Sequence, residues 1–120
     1  MTAREALDMG KVLAGLTNKD GSLWNDQTPE LAKSFVVMVN LVYSDLYDGE
    51  NFIPVSSLDD NLYLPQNILN DVMPYGIAMH LCRMVGDTNG ELVMSDTYAD
   101  KRKKAPMNSY VIDTLPRGVW

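Results

Sequence analysis

Residues 57–98 read SLDDNLYLPQNILNDVMPYGIAMHLCRMVGDTNGELVMSDTY, and this stretch decides the fold. From Gln66 onward, Ile68, Leu69, Val72, Met73, Ile77, Leu81 and Val85 recur at helical intervals, so residues 66–85 are expected to form a helix with those side chains inward. Pro74 falls inside the pattern and should kink it, because proline removes a hydrogen bond and collides with the preceding turn. Gly76 and Ala78 are small enough to admit a second helix at close range. Gly86 supplies a left-handed stop, and Asn89-Gly90 adds a further break. A last helix follows over residues 91–104, with Leu92, Val93 or Met94, Tyr98 and Ala99 on a weaker stripe. The stretch holds almost no side chain suited to chemistry, which points to assembly rather than catalysis.

Toward the N-terminus, Thr2 and Glu5 have the spacing of a capping box, so a first helix is expected over residues 3–15, with Ala6, Met9, Leu13 and Leu16 on its stripe. Residues 17–22 are turn-rich, and Trp24 is expected to anchor the connection onto the core or a neighbouring subunit. Thr28-Pro29 is a strong helix start: threonine caps free N–H groups, and proline at the first helical position gives up no bond it could have made. Leu31, Phe35, Met38, Val42 and Leu46 then mark the best helix of the chain, residues 28–47. Asn40 interrupts its apolar run and is expected to make an interhelical hydrogen bond, or to fix register between helices.

Residues 48–64 form a long middle loop. Pro54 makes its first part extended, and Pro65 stands near the start of the next helix. Loops of this length in small domains usually carry function. Phe52, Ile53 and Tyr63 are the candidates for contact with an adjacent copy. At the other end, Ala105-Pro106 closes a helical domain of residues 1–106, and residues 107–120 form an arm. Its Tyr110-Val111-Ile112 run favours a strand, while Leu115 and Trp120 make it too apolar to stay in water.

Composition narrows the function. The chain has 120 residues, 46% of them hydrophobic, which suffices for one domain with a core. One cysteine and one histidine cannot build a disulfide framework or a Cys/His zinc cluster in a single copy. The apolar runs are broken well before the roughly 20 residues a membrane span needs, and no secretory signal is visible, so a soluble cytosolic protein is expected. A net charge of −6 argues against a domain that grips phosphates. Lys101, Arg102, Lys103 and Lys104 are a local exception. They suit the negative end of a helix, and alternatively contact with DNA or an acidic partner.

No catalytic constellation is present, so an enzyme is not expected, nor is a cofactor or metal. Gly10, Gly15 and Gly21 lack the strand-loop-helix context of a phosphate loop. His80 and Cys82 are two apart and would face different sides of a helix. Asp59, Asp60 and Asp71 have no spacing that enforces convergence on a cation and are expected to cap loops and helix starts. The eight methionines read as adaptable filler. Met38, Met73, Met79 and Met84 are the ones that could sit where subunits repack.

Taken together, Thr28-Pro29-Glu30-Leu31, Asn40-Leu41-Val42-Tyr43 with Leu46, Phe52-Ile53-Pro54-Val55, Leu58-Asp59-Asp60, Leu64-Pro65, Pro74-Tyr75-Gly76-Ile77-Ala78 and Gly86-Asp87 resemble tailed-bacteriophage head-to-tail connector proteins. These are also called adaptor or head completion proteins. The motifs are short and cover roughly residues 28–98. The resemblance implies an all-α virion subunit of three to four helices with a long middle loop and an extended C-terminal arm. Such subunits form a homo-oligomeric ring, a dodecamer in the family, in the neck below the portal protein. The ring would join the portal to a tail-side connector or stopper protein, and packaged DNA would pass through without sequence-specific binding. It implies no catalysis, no cofactor and no membrane. The arm residues Tyr110, Ile112, Leu115 and Trp120 would engage the portal or a neighbour. The rival expectation is a small helical DNA-binding or regulatory protein of a phage, which would need basic and amide side chains along a recognition helix.

Overall fold

The computed structural model describes residues 1–16 and 29–104, and these are helical throughout apart from the middle segment. The helices are α1 (Ala3–Ala14), α2 (Pro29–Leu46), α3 (Gln66–Asp71), α4 (Met73–Met84) and α5 (Thr88–Lys104). Among the described residues there is no β-strand, only an isolated bridge between Thr2 and Asn61. The chain is a small all-α bundle in which α4 is central: α1 and α5 lie along it, with α2 and α3 also in contact.

Local chemistry sets the helix ends. The Thr2 hydroxyl accepts from the Glu5 N–H at 3.2 Å while the Glu5 carboxylate accepts from the Thr2 N–H at 3.0 Å, which completes the capping box. Those bonds hold the Glu5 carboxyl below its ordinary range. Gly15 and Gly86 take φ of 75° and 78°, the left-handed geometry that closes α1 and the turn after α4.

The helix expected over residues 66–85 is broken rather than kinked. The break is at Val72, whose φ of −112° leaves the regular helical range, and Pro74 stands in the first turn of α4. At that position the missing proline N–H costs no bond, which is why the chain restarts a helix there instead of bending one. Asn89-Gly90 is likewise no break. Both residues lie in the first turn of α5, where Asp87 Oδ1 accepts from the Gly90 N–H at 2.9 Å and the Asp87 carbonyl from the Glu91 N–H at 2.9 Å.

Phe35, Leu7, Leu46, Ile68, Met73, Ile77 and Leu81 are fully buried at the centre. Two glycines let helices meet there. A methyl at Gly10 of α1 would come within 2.5 Å of Ile77 Cγ2 on α4, and one at Gly76 of α4 within 2.8 Å of the Tyr98 ring on α5 and 2.9 Å of Val42 on α2. Lys11 is also buried, its Nζ 5.1 Å above the Phe35 ring and 3.7 Å from Asp8 Oδ1. Val85, expected inward, is partly exposed because the chain has already left the α4 face, and along α5 only Tyr98 is buried.

The middle segment is not a free loop. Its Val55, Leu58 and Leu62 are buried in the core, and its backbone caps α1: the Leu58 and Asp60 carbonyls accept from the Arg4 and Ala3 N–H groups at 2.8 and 2.9 Å. These are donors a helix start leaves unsatisfied. The Leu62 N–H donates to the Met1 carbonyl at 2.9 Å. Asn40 is committed here too. Its amide bonds the Val55 backbone, not another helix as expected.

Candidate assembly surfaces

The expected inter-subunit residues separate into two kinds. Phe52 is half-buried against the chain's own core, its ring packing edge-on against Tyr43 and Tyr47 with centroids 5.1 and 5.6 Å away. Ile53 and Tyr63 point outward, 77% and 74% exposed. The Tyr63 N–H donates to the Tyr43 hydroxyl at 3.1 Å, so its backbone is held while its ring is left in solvent. Together Ile53 and Tyr63 flank an open groove of about 460 Å³, floored by Tyr43 and Tyr47 and bounded by Asp59 and Asp60. Asn51, in a left-handed conformation with φ of 63°, turns the chain into it.

Of the acidic residues expected to cap loops and helix starts, only Asp60 is seen to do so, while Asp59 and Asp71 form ion pairs. Asp60 Oδ2 accepts from the Ser56 and Ser57 N–H groups at 2.7 and 3.2 Å, and Asp59 lies 3.5 Å from Arg4. Asp71 instead meets Lys101 at 2.9 Å, a bond that raises the lysine pKa. Among the described residues no three His, Cys, Asp or Glu side chains converge as metal ligands would. No buried side-chain nitrogen or oxygen among them lacks a hydrogen-bond partner.

The basic cluster is the last turn of α5, and most of it is engaged within the chain. Lys101 bonds Asp71 and lies 4.9 Å above the Tyr75 ring. Arg102 bonds the Asp45 carboxylate at 3.1 Å, and Lys104 bonds Asp100 at 3.1 Å. Lys103 is exposed. Arg102 ties α5 to the end of α2, where Tyr98 also donates its hydroxyl to Asp45 Oδ2 at 2.6 Å. Burial and that bond push the Tyr98 pKa far up.

Cys82 is buried, and burial pushes its thiol pKa up. His80 is half-buried, with its pKa lowered by burial and by nearby Arg83. Of the methionines expected at subunit contacts, Met38 and Met73 are core residues, Met79 is half-buried against the core and Met84 is exposed.

A second apolar surface escaped the sequence reading. Leu92 and Val93 of α5 are 59% and 58% exposed, and Met84 and Val85 at the end of α4 are exposed too. An amphipathic reading of α5 groups them with Tyr98, but of these only Tyr98 is buried as α5 lies along α4. Val37 and Leu41 of α2 are exposed as well. Trp24 and the arm residues Tyr110, Ile112, Leu115 and Trp120 lie outside the described residues, as does the boundary expected near residue 106.

No protein-family model matches the chain, and comparisons with curated proteins and with solved structures give no match. No helix among the described residues is long and apolar enough to cross a membrane.

Proposed function

We propose that this chain is a structural subunit of a phage head-to-tail connector, assembling into a ring below the portal and continuing the DNA channel toward the tail. The observation that carries the reading is the presence of two different exposed apolar surfaces near opposite ends of α5. Leu92 and Val93 occupy one end. The Ile53/Tyr63 groove adjoins the other, because Tyr47 in its floor also borders the surface hollow next to Lys103. Leu92 and Lys103 are eleven positions apart, roughly 16 Å at 1.5 Å per residue. A ring needs such a pair, because each copy must offer one surface and receive another until the rotation closes. The resemblance of its short motifs to those of connector proteins supplies the rest of the support.

In this reading Ile53 and Tyr63 contact a neighbour, while the arm with Tyr110, Ile112, Leu115 and Trp120 engages the portal. The acidic chain suits a channel in which DNA slides, since a strongly basic wall would hold phosphates by counterion release. The DNA-binding alternative has less support, because Lys101, Arg102 and Lys104 are bonded to the chain's own carboxylates. The test is mass measurement of the purified protein with and without portal protein. A discrete ring that joins the portal is expected. A monomer that ignores the portal and binds duplex DNA with a steep salt dependence would reverse the choice.

A further inference from the structure

Most charged side chains among the described residues are committed within the chain, to a partner of opposite sign or to a cap. Lys33 of α2 and Asp96 of α5 are among the exceptions. Both are exposed, and neither has a hydrogen-bonded or ion-paired side-chain partner. Each also shares its helix face with an exposed apolar side chain one turn away: Val37 lies four residues after Lys33, and Leu92 four residues before Asp96. Leu41 extends the α2 stripe, and Val93 broadens that of α5.

The two stripes are opposite in order and in sign. Toward the C-terminus α2 reads cation then apolar, whereas α5 reads apolar then anion. Laid antiparallel, they bring Lys33 to Asp96 and Val37 to Leu92 in one register, because both spacings are the same, roughly 6 Å along the helix axis. Laid parallel, each charge would meet an apolar side chain. Beside the α2 stripe lies an open hollow of about 440 Å³ lined by Lys33, Val36, Val37, Ser56, Ser57 and Leu58, which gives an incoming helix a concave seat. Asp59 borders both this hollow and the Ile53/Tyr63 groove, so the two openings are neighbours on the surface.

Both stripes are exposed within one chain, so a pairing between them takes a second copy. We propose that Leu92, Val93 and Asp96 of one copy dock antiparallel on the Lys33/Val37 stripe of the next, with the Lys33–Asp96 pair setting direction and register. An exposed ion pair adds little affinity by itself, but like charges in its place oppose association. The proposal rests on the reading of the chain as a self-assembling subunit and names the surfaces that meet; portal binding plays no part in it.

The test is sedimentation velocity on Lys33→Glu, on Asp96→Lys and on their equimolar mixture, with and without portal protein. Each variant alone sets like charges against each other between copies and should associate about tenfold or more weakly than the unaltered protein. Their melting temperatures should stay within about 2 °C of its value, since both side chains are in solvent. In the mixture each variant meets the opposite charge on the other, and association should return to within about threefold of the unaltered protein's. Only a contact between copies can be repaired by mixing two chains. Single variants that associate as the unaltered protein does, or a mixture no stronger than its components, would overturn the pairing while leaving the ring and its portal contact standing. A chain that stays monomeric even with portal present would remove the ring and the pairing together.

Discussion

Asn40 holds Val55 by both ends of its amide: Nδ2 donates to the Val55 carbonyl at 2.9 Å and Oδ1 accepts from the Val55 N–H at 2.8 Å. The clamp fastens the middle segment to α2 midway along its length. Asn40→Ala strands a donor and an acceptor on a buried residue, which should cost about 2 kcal/mol or more. Urea unfolding gives the measure, and an unchanged midpoint would mean that water replaces the amide without loss.

Gly10→Ala should destabilise the protein even though alanine favours helix by about 1 kcal/mol. The new methyl has to displace Ile77, and overpacking of this kind costs about 1–3 kcal/mol. Gly76→Ala should behave alike against Tyr98 and Val42. A raised melting temperature in either variant would show that α4 moves aside at little cost.

Phe35→Ala removes a ring with no exposed surface and should cost about 3–5 kcal/mol. It also strips the aromatic face beneath Lys11 Nζ. A thermal melt matching that of the unaltered protein would contradict the packing described for the centre of the bundle.

Tyr98 ties alkaline stability to one hydroxyl. Its pKa is raised by burial and by the bond to Asp45, so above the ordinary tyrosine value near 10 the unfolded chain loses this proton first. The unfolded state then binds fewer protons than the folded one, and stability falls as pH rises. The contribution is fully present below pH 10 and declines progressively above it. Tyr98→Phe should be less stable than the unaltered protein at neutral pH and lose less on going from about pH 9 to 11. Parallel unfolding curves across that range would rule out the coupling.

Ile53→Asp and Tyr63→Asp should each leave the melting temperature within about 2 °C, because both side chains are in solvent. Each should weaken association between copies, as followed by light scattering. Association that survives both changes would remove the groove from the assembly surface. Replacing the whole middle segment with a glycine-serine link is a different experiment. It deletes Val55, Leu58 and Leu62 from the core and should unfold the chain.

The parts of this fold legible in the sequence are those decided by neighbours along the chain. The Thr2/Glu5 box, the stop at Gly86 and the apolar stripe of α2 depend on residues at most a turn or two apart. Asn40 was conspicuous as a polar residue in an apolar run, but its partner is a backbone group 15 residues away that no side-chain pattern announces. The capping of α1 by Leu58 and Asp60 is equally silent, since any residue has a carbonyl. In the sequence Gly10 shows only as a glycine without phosphate-loop context, because close helix packing leaves no periodic mark beyond a small residue on a buried face. At the candidate surfaces, Ile53 and Tyr63 could be picked out as apolar residues in a loop, whereas Phe52 beside them looked the same and turned inward. Leu92 and Val93 are exposed although the sequence sets them on a stripe with Tyr98, because hydrophobicity does not say which flank of a helix its neighbours cover.

The backbone bonds between Ala3, Arg4 and residues 58–60 also bear on how the chain comes to be folded. Helix α1 lies mainly along α4, and its first turn is closed by carbonyls from the middle segment, so neither support exists when α1 leaves the ribosome. A 12-residue helix on its own is marginal in water. The N-terminal helix therefore has no partner to settle against until about the next 70 residues, through α4, have been synthesised.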